Sequence, residues 1–393
     1  MILRTGRARI IPRLLVIPFA LALVLPAATA NAAATWTRVP SPNRGTVASA
    51  LQDVVTVPGT STAWAVGYYY DNATASYRTM TQRYNGTGWS IVPSLNGSAT
   101  GYSQLNKVDA TALNNVWAIG SNTQAGPLVQ RYNGSGWVSM SRPAGIAPRG
   151  LDVVSSTEVW IAGYSGSNAT VTQWKNGVWT TRYTRSSVGR HLTVFEAIAV
   201  TASGEVWAAG WDRDYDAAGR PVSSLLVHFN GTSWNREATP NPLNRNTLLD
   251  VVALASGDVF AVGVAQDTSG GGITPRSLML RRSGTTWSSL AVPQVEAGSQ
   301  DQLQSVTAVS STSVWSVGYY YSPSSGLHEP LLVHWMANGG AGTFAIHHPS
   351  PDLGVSATLW GVSATPTGNI WAVGYTAPPS AGNATLILRG TGG

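Results

Sequence analysis

The sequence predicts an all-β fold, a seven-bladed β-propeller of four-stranded blades with the N-terminal strand completing the last blade. Three observations lead there. A Trp-Ala-Val-Gly tetrapeptide recurs along the chain, each copy lies among short runs with two-residue alternation, and the chain opens with the strand that its last repeat lacks. The copies are Trp64–Gly67, Trp117–Gly120, Trp160–Gly163, Trp207–Gly210, Phe260–Gly263, Trp315–Gly318 and Trp371–Gly374, with successive glycines 53, 43, 47, 53, 55 and 56 residues apart. That period suits a propeller blade.

In the first repeat the strands are expected at Leu51–Val57, Ala63–Tyr69, Thr79–Tyr84 and Gly88–Val92. Between the third and fourth lies Asn85-Gly86-Thr87, echoed at Asn133-Gly134-Ser135 and Asn230-Gly231-Thr232. Asn-Gly favours a tight hairpin because both residues tolerate positive φ, so the repeated turn accounts for these glycosylation-like triplets. Alternation sends Trp64 and Val66 to one blade face and Ala65 and Gly67 to the other. The repeated tryptophans are therefore expected to be packing residues between stacked blades.

The last repeat supplies Leu359–Ala364, Asn369–Tyr375 and Ala384–Arg389 and then ends. Its fourth strand is expected from the other terminus, Trp36–Pro42, because Gly390-Thr391-Gly392 followed by Trp36 reproduces Gly86-Thr87-Gly88-Trp89. Leu-x-x-Val, Trp-Ala-Val-Gly and Tyr-Asn-Gly-Thr-x-Trp-Ser together resemble the secreted Trp-Ala-Val-Gly repeat propellers of actinobacterial type. The resemblance covers residues 36–393 and implies the fold rather than an activity. The chain lacks a Trp-Asp dipeptide in each blade, paired glycines of kelch type and the Ser-x-Asp-x-Gly-x-Thr-Trp box of sialidases.

Residues 1–32 have the form of a secretory signal, with Arg4, Arg7, Arg9 and Arg13 ahead of the apolar stretch Leu14–Leu25 and then Ala30-Asn31-Ala32. The propeller is expected over residues 33–393, exported and extracellular. Of the 24 Lys+Arg, four lie in this leader, which leaves 20 against 18 Asp+Glu, a net charge of +2. With lysine only at Lys107 and Lys175, there is no cationic cluster for nucleic acid. No later apolar run is long enough to span a membrane. The absence of cysteine excludes disulfides, thiol nucleophiles and thiolate-bound metals. The product is expected to act as a monomer.

Function is expected on one face. The second-to-third strand connections (Tyr70–Arg78, Trp211–Val222, Ala265–Arg276, Tyr320–Glu329) and the blade crossings (Pro93–Gln104, Met140–Gly150, Tyr183–Thr193) are long, and both classes emerge on the same side. At its centre the inner strands bring Asp53, Lys107, Asp152, Ala197, Asp250, Ser305 and Gly361 to one level, preceded by Gln52, Asn106, Glu196, Gln304 and Trp360. Further out, the residue after the motif glycine is Tyr68, Tyr164, Trp211, Tyr319 or Tyr375, with Ser121 and Val264 interrupting the series. Such rings present a flat apolar face and a polar edge, which suits sugars or proteins.

A binding module for an extracellular glycan or protein is the expected function, through Tyr68, Trp211, Tyr215, Tyr319 and Trp360 with Asp53, Lys107 and Asp152 nearer the axis. The rival is an enzyme, such as a polysaccharide lyase or hydrolase or a small-molecule cyclase, using Arg190, His191, Glu196 and Asp250 at the channel mouth. A passive structural envelope protein is a third reading. No cofactor is required, but Asp212-x-Asp214-x-Asp216-x-x-Gly219 resembles part of a calcium loop, with Ser223 where a final carboxylate would stand. His228 and His334 occupy the slot held by Arg83 and Arg131, so they are expected to be ordinary strand residues.

Overall fold

The computed structural model describes residues 34–217, 221–268, 272–338, 342–365 and 368–391. The leader, Gly219 and Gly392 lie outside these residues. Regular structure among the described residues is entirely β, and no helix there is long and apolar enough to cross a membrane. The strands form four-stranded antiparallel meanders, as in Ser49–Thr56, Ala63–Asp71, Ser76–Tyr84 and Trp89–Val92. Inner strands follow at Ser103–Ala112, Ala147–Ser155, His191–Val200, Arg245–Ala253, Gln300–Ser310 and Ser356–Ala364. Each touches the inner strands on either side, and Ser356–Ala364 meets Ser49–Thr56. The chain is a β-propeller.

The last blade takes its outer strand from the N-terminus. Thr35–Arg38 pairs antiparallel with Ala384–Thr391, Trp36 standing opposite Gly390 as Trp89 stands opposite Tyr84. Trp36 is 1% exposed and meets Trp315 of the preceding blade edge-on at 5.3 Å. A side chain on Gly390 would collide with the Trp36 ring, because its Cβ would lie 2.9 Å from Cζ2. Pro349–Ser350 then pairs parallel with Thr35–Arg38 and covers the outer edge of the closing strand.

The motif tryptophans pack between blades. Trp64 meets Tyr132 and Trp137 of the next blade at 4.6 and 5.4 Å, and Trp371 meets Tyr84 and Trp89 at 4.7 and 5.3 Å. Across the hairpin six of the seven motif rings face a cation or imidazole, as Arg83 lies over Trp64 and Arg389 over Trp371, while His228 stacks on Trp207 at 3.7 Å and His334 on Trp315 at 4.1 Å; Trp160 faces Gln173 instead. Burial, with His347 beside it, lowers the His334 pKa to about 4, so it is a neutral packing residue at pH 7.

The motif glycine has a steric cause. A Cβ at Gly67 would sit 2.0 Å from the Ala50 carbonyl oxygen, and one at Gly374 would sit 1.8 Å from that of Thr358. Opposite it the inner strand carries a β-bulge, between Leu51 and Asp53 in the first blade and between Leu359 and Gly361 in the last. The bulge inserts one residue and turns two consecutive side chains toward the axis and rim.

Two expectations need correction. The Asn-Gly hairpins do not use positive φ at both residues: Gly86 adopts 102°, while Asn85 instead accepts hydrogen bonds from Thr87 N–H and Gly88 N–H on Oδ1 at 3.0 and 3.1 Å. The long second-to-third connections begin and end as strand. In the first blade the ladder runs to Asp71 and resumes at Ser76, and in the fourth it runs to Asp214. Period-two pairing persists past the blade core, so rim side chains stand on strand ends.

Candidate functional site

The channel shows how the bulge distributes charge. Register places Asp53, Lys107, Gly150, Ala197, Asp250, Ser305 and Gly361 just after it. Asp152 is therefore not level with Asp53. It stands opposite Trp160, as Asp109 stands opposite Trp117, two residues further along the strand. Pro148-Arg149-Gly150 fills the bulge of the third blade, so Arg149 joins Gln52, Asn106, Glu196, Gln304 and Trp360 at the mouth.

The acids join neighbouring blades. Asp53 Oδ2 accepts the Val108 N–H at 3.0 Å, Asp109 Oδ2 that of Val153 at 2.6 Å, and Asp152 Oδ2 that of Val200 at 2.9 Å. Asp250 Oδ2 accepts the Val306 N–H at 2.9 Å and the Ser305 hydroxyl at 2.7 Å. Thr56 N–H donates to Ser363 Oγ at 3.0 Å, closing the series between the last and first blades. Ala197 and Ala199 stand in the corresponding places of the fourth blade and offer no acceptor. That junction is bridged by strand pairing, Val222 opposite Arg245.

These groups surround a cavity of about 250 Å³. Burial pushes the Asp53 carboxyl up to about 6 against the opposing pull of Lys107 and the Val108 N–H. Asp152 is pushed up to about 7 by burial, offset by the Val200 N–H, and burial plus the neighbouring Asp152 raises Asp109 well above the carboxylate range. For Lys107, burial works against the ammonium, but Asp250, Asp53 and Glu196 outweigh it and hold its pKa above the ordinary value. The channel acids thus have an architectural use, which a ring of free ligand-binding carboxylates would lack.

On the rim beyond the third and fourth blades the side chains form ion pairs. Glu196 accepts from Trp211 Nε1 at 3.0 Å and lies 3.9 Å from Arg149, whose guanidinium stands over the Tyr164 ring at 5.7 Å. His191 lies 3.2 Å from Asp212 and 3.4 Å from Asp214, and Arg185 lies 3.7 Å from Asp212. Asp214 also accepts the Asp216 and Ala217 N–H groups at 2.8 and 3.0 Å, while Asp216 accepts the Arg190 N–H at 2.9 Å. Arg213 stands over Tyr215 at 4.7 Å.

His191 and Glu196 therefore have different partners. Asp212, Asp214 and Asp216 are occupied by His191, Arg185 and backbone amides rather than converging on one point. Among the described residues no group of three or more His, Cys, Asp or Glu is placed to hold a metal ion, so the carboxylates do not fit a calcium site.

The other half of the rim is aromatic. Tyr77 is approached edge-on by Tyr68, Tyr70 and Tyr102 at 5.3, 5.4 and 5.7 Å. Tyr68, Tyr77 and Tyr102 line a cleft of about 360 Å³ between the first and second blades, with Ser103, Gln104, Ser121 and Thr123. Tyr319 lies 6.0 Å from Trp360 and 5.7 Å from His328, which also meets Tyr321 at 5.6 Å. Burial raises the phenols of Tyr68 and Tyr319, and Tyr375 adds to both. Tyr77 and Tyr102 were not expected as site residues. The Tyr68-x-Tyr70 alternation carried through the hairpin to Tyr77 is the signal that would have found the first.

No protein-family model matches the chain, and no curated protein matches it. Among solved structures it is similar to the WD40 repeats of RRP9 (TM-score 0.58, 11% identity, 91% of this chain and 98% of that one). It is similar also to YCF48 bound to a D1 peptide (0.54, 14%, 91% and 96%) and to the polysaccharide lyase Uly1 (0.52, 10%, 86% and 89%). At these identities the likeness establishes the propeller fold.

Proposed function

We propose that this chain is a secreted, seven-bladed propeller, kin to the Trp-Ala-Val-Gly repeat proteins, that acts as a binding module for an extracellular glycan or protein. The inner strands contact one another in a closed series, which supports the blade count. One observation carries the functional reading: the cleft of Tyr68, Tyr77 and Tyr102 is open, concave and rimmed by polar side chains. Its size falls within the roughly 300–1,000 Å³ range of ligand sites. The solved propellers that resemble it include one bound to a peptide and one that is a polysaccharide lyase, which supports a fold able to carry either use. The engagement of His191 by Asp212 and Asp214, and of Glu196 by Trp211 and Arg149, favours binding over turnover.

A screen of the purified protein against immobilised glycans and peptides, repeated with Tyr68→Ala and Asp250→Asn, tests this reading. Graded loss with the tyrosine variant supports it. Turnover of a polysaccharide that Asp250→Asn abolishes while the fold survives overturns it in favour of an enzyme.

A further inference from the structure

The cleft between the first and second blades contains no charged side chain: three tyrosines, two serines, a threonine and a glutamine line it. Tyr102 is 57% exposed at its edge, so a ligand reaches the ring without rearrangement. Among the described residues the side chains of Tyr68, Tyr77, Tyr102, Gln104 and Ser121 donate and accept no hydrogen bond within the protein, and their polar ends face the cleft or solvent. A sugar ring has the complementary build, with a C–H face to lay on an aromatic ring and hydroxyls at its edge.

The aromatic surface also continues beyond this cleft. Tyr375 holds the same repeat position in the last blade, between Tyr68 of the first and Tyr319 of the sixth, and beside Tyr319 stand Trp360 of the last blade and His328, which meets Tyr321 in turn. A terminal monosaccharide needs one platform, whereas a polymer uses several. On the far half of the same rim, rings of the same repeat position are covered by Arg149 and tied to Glu196.

Resting on the binding-module reading, we infer that the aromatic half of the rim is a site for an uncharged, linear glycan lying across several blades, with the cleft of Tyr68, Tyr77 and Tyr102 as its principal subsite. The uncharged lining selects against uronic-acid polymers, since no Lys or Arg stands there to pair with a carboxylate.

Calorimetric titration with cello- and xylo-oligosaccharides from disaccharide to hexasaccharide, and with oligogalacturonates of the same lengths, tests it. Affinity is expected to rise with length in a neutral series and to be absent for the galacturonates. Tyr102→Ala should weaken the hexasaccharide on the order of tenfold, the loss that about 1.4 kcal/mol produces. Tyr321→Ala should weaken the hexasaccharide and leave the disaccharide unchanged. Both residues lie at exposed or half-exposed strand ends, and circular dichroism confirms the fold of each variant. Equal affinity for short and long oligomers, no binding in either neutral series, or a preference for galacturonates overturns the inference. If galacturonate binding is lost in Arg149→Ala, the module reading stands and only this assignment falls. If a binding oligomer is insensitive to substitution in either half of the rim, the module reading falls too.

Discussion

The two halves of the long-loop rim are built on the same repeat and differ in what happens to their aromatic rings. Around the third and fourth blades, Trp211 gives its indole N–H to Glu196 and Tyr164 lies beneath Arg149. Around the first and second blades Tyr68, Tyr70 and Tyr102 meet Tyr77 edge-on, and around the sixth Tyr319 and Tyr321 meet His328 edge-on, with Trp360 of the last blade 6.0 Å from Tyr319. The repeat fixes where a ring stands, and the residue in the bulge decides whether it is consumed. Arg149 and Glu196 consume it in the third and fourth blades, whereas the second blade carries Ser121, and no ring, at that position.

The halves also differ in how they are held. The charged half is continuous chain, whereas the aromatic half straddles the place where the termini meet. Trp36→Ala removes a buried ring at that closure and should cost about 3–5 kcal/mol. Hydrogen exchange should quicken first in the last and first blades, with the third and fourth protected. Uniform loss of protection would mean that the closure does not belong to one half in particular.

Tyr77→Ala comes next, since three rings rest on Tyr77. It should lower stability by about 1–3 kcal/mol, as loss of a partly buried aromatic does, and weaken glycan binding at least as much as Tyr102→Ala. Unchanged binding would remove the cleft from the aromatic half.

The channel serves both halves and supplies a pH test. Asp53 and Asp152 have raised carboxyl pKa values, about 6 and 7, so the folded state holds protons that the unfolded chain releases at about 4. Their contribution to stability is complete below the unfolded pKa and is lost as pH rises toward 7. Asp152→Asn keeps an oxygen for the Val200 N–H and removes the desolvated charge. The variant should show a shallower fall in Tm across that window and, at pH 8, a Tm at or above that of the parent. A steeper fall would contradict the account of the channel. Arg149→Ala is expected to be smallest: its ion pair is long, at 3.9 Å, and its side chain is 44% exposed. A change below about 1 kcal/mol is expected in denaturant titrations.

Much of this was legible in the sequence. The tetrapeptide marks the second strand of each blade, its glycine is required by a carbonyl 2.0 Å from the missing Cβ, and the tail-to-head match located Trp36. The bulge was not legible, because it breaks the two-residue period by one. Leu151-Asp152-Val153-Val154 looks like Leu51-Gln52-Asp53-Val54-Val55 with one residue missing. The ladder, however, sets Pro148, not Leu151, opposite the motif glycine Gly163, and Asp152 therefore sits deeper. The hydrogen bonds that engage the channel acids cross from one blade to the next, and no local pattern records them. Tyr77 and Tyr102 were hidden for another reason: they lie in segments whose polar composition marks connectors, although pairing carries the strand through Tyr77.

The most direct measurement is a crystal structure of the protein with a neutral hexasaccharide bound. Density for sugar rings over Tyr102 and Tyr77 and onward past Tyr68 toward Tyr319 is the predicted result. Sugar seated in the central channel, or against Arg149 and Glu196 on the opposite half, would contradict the account.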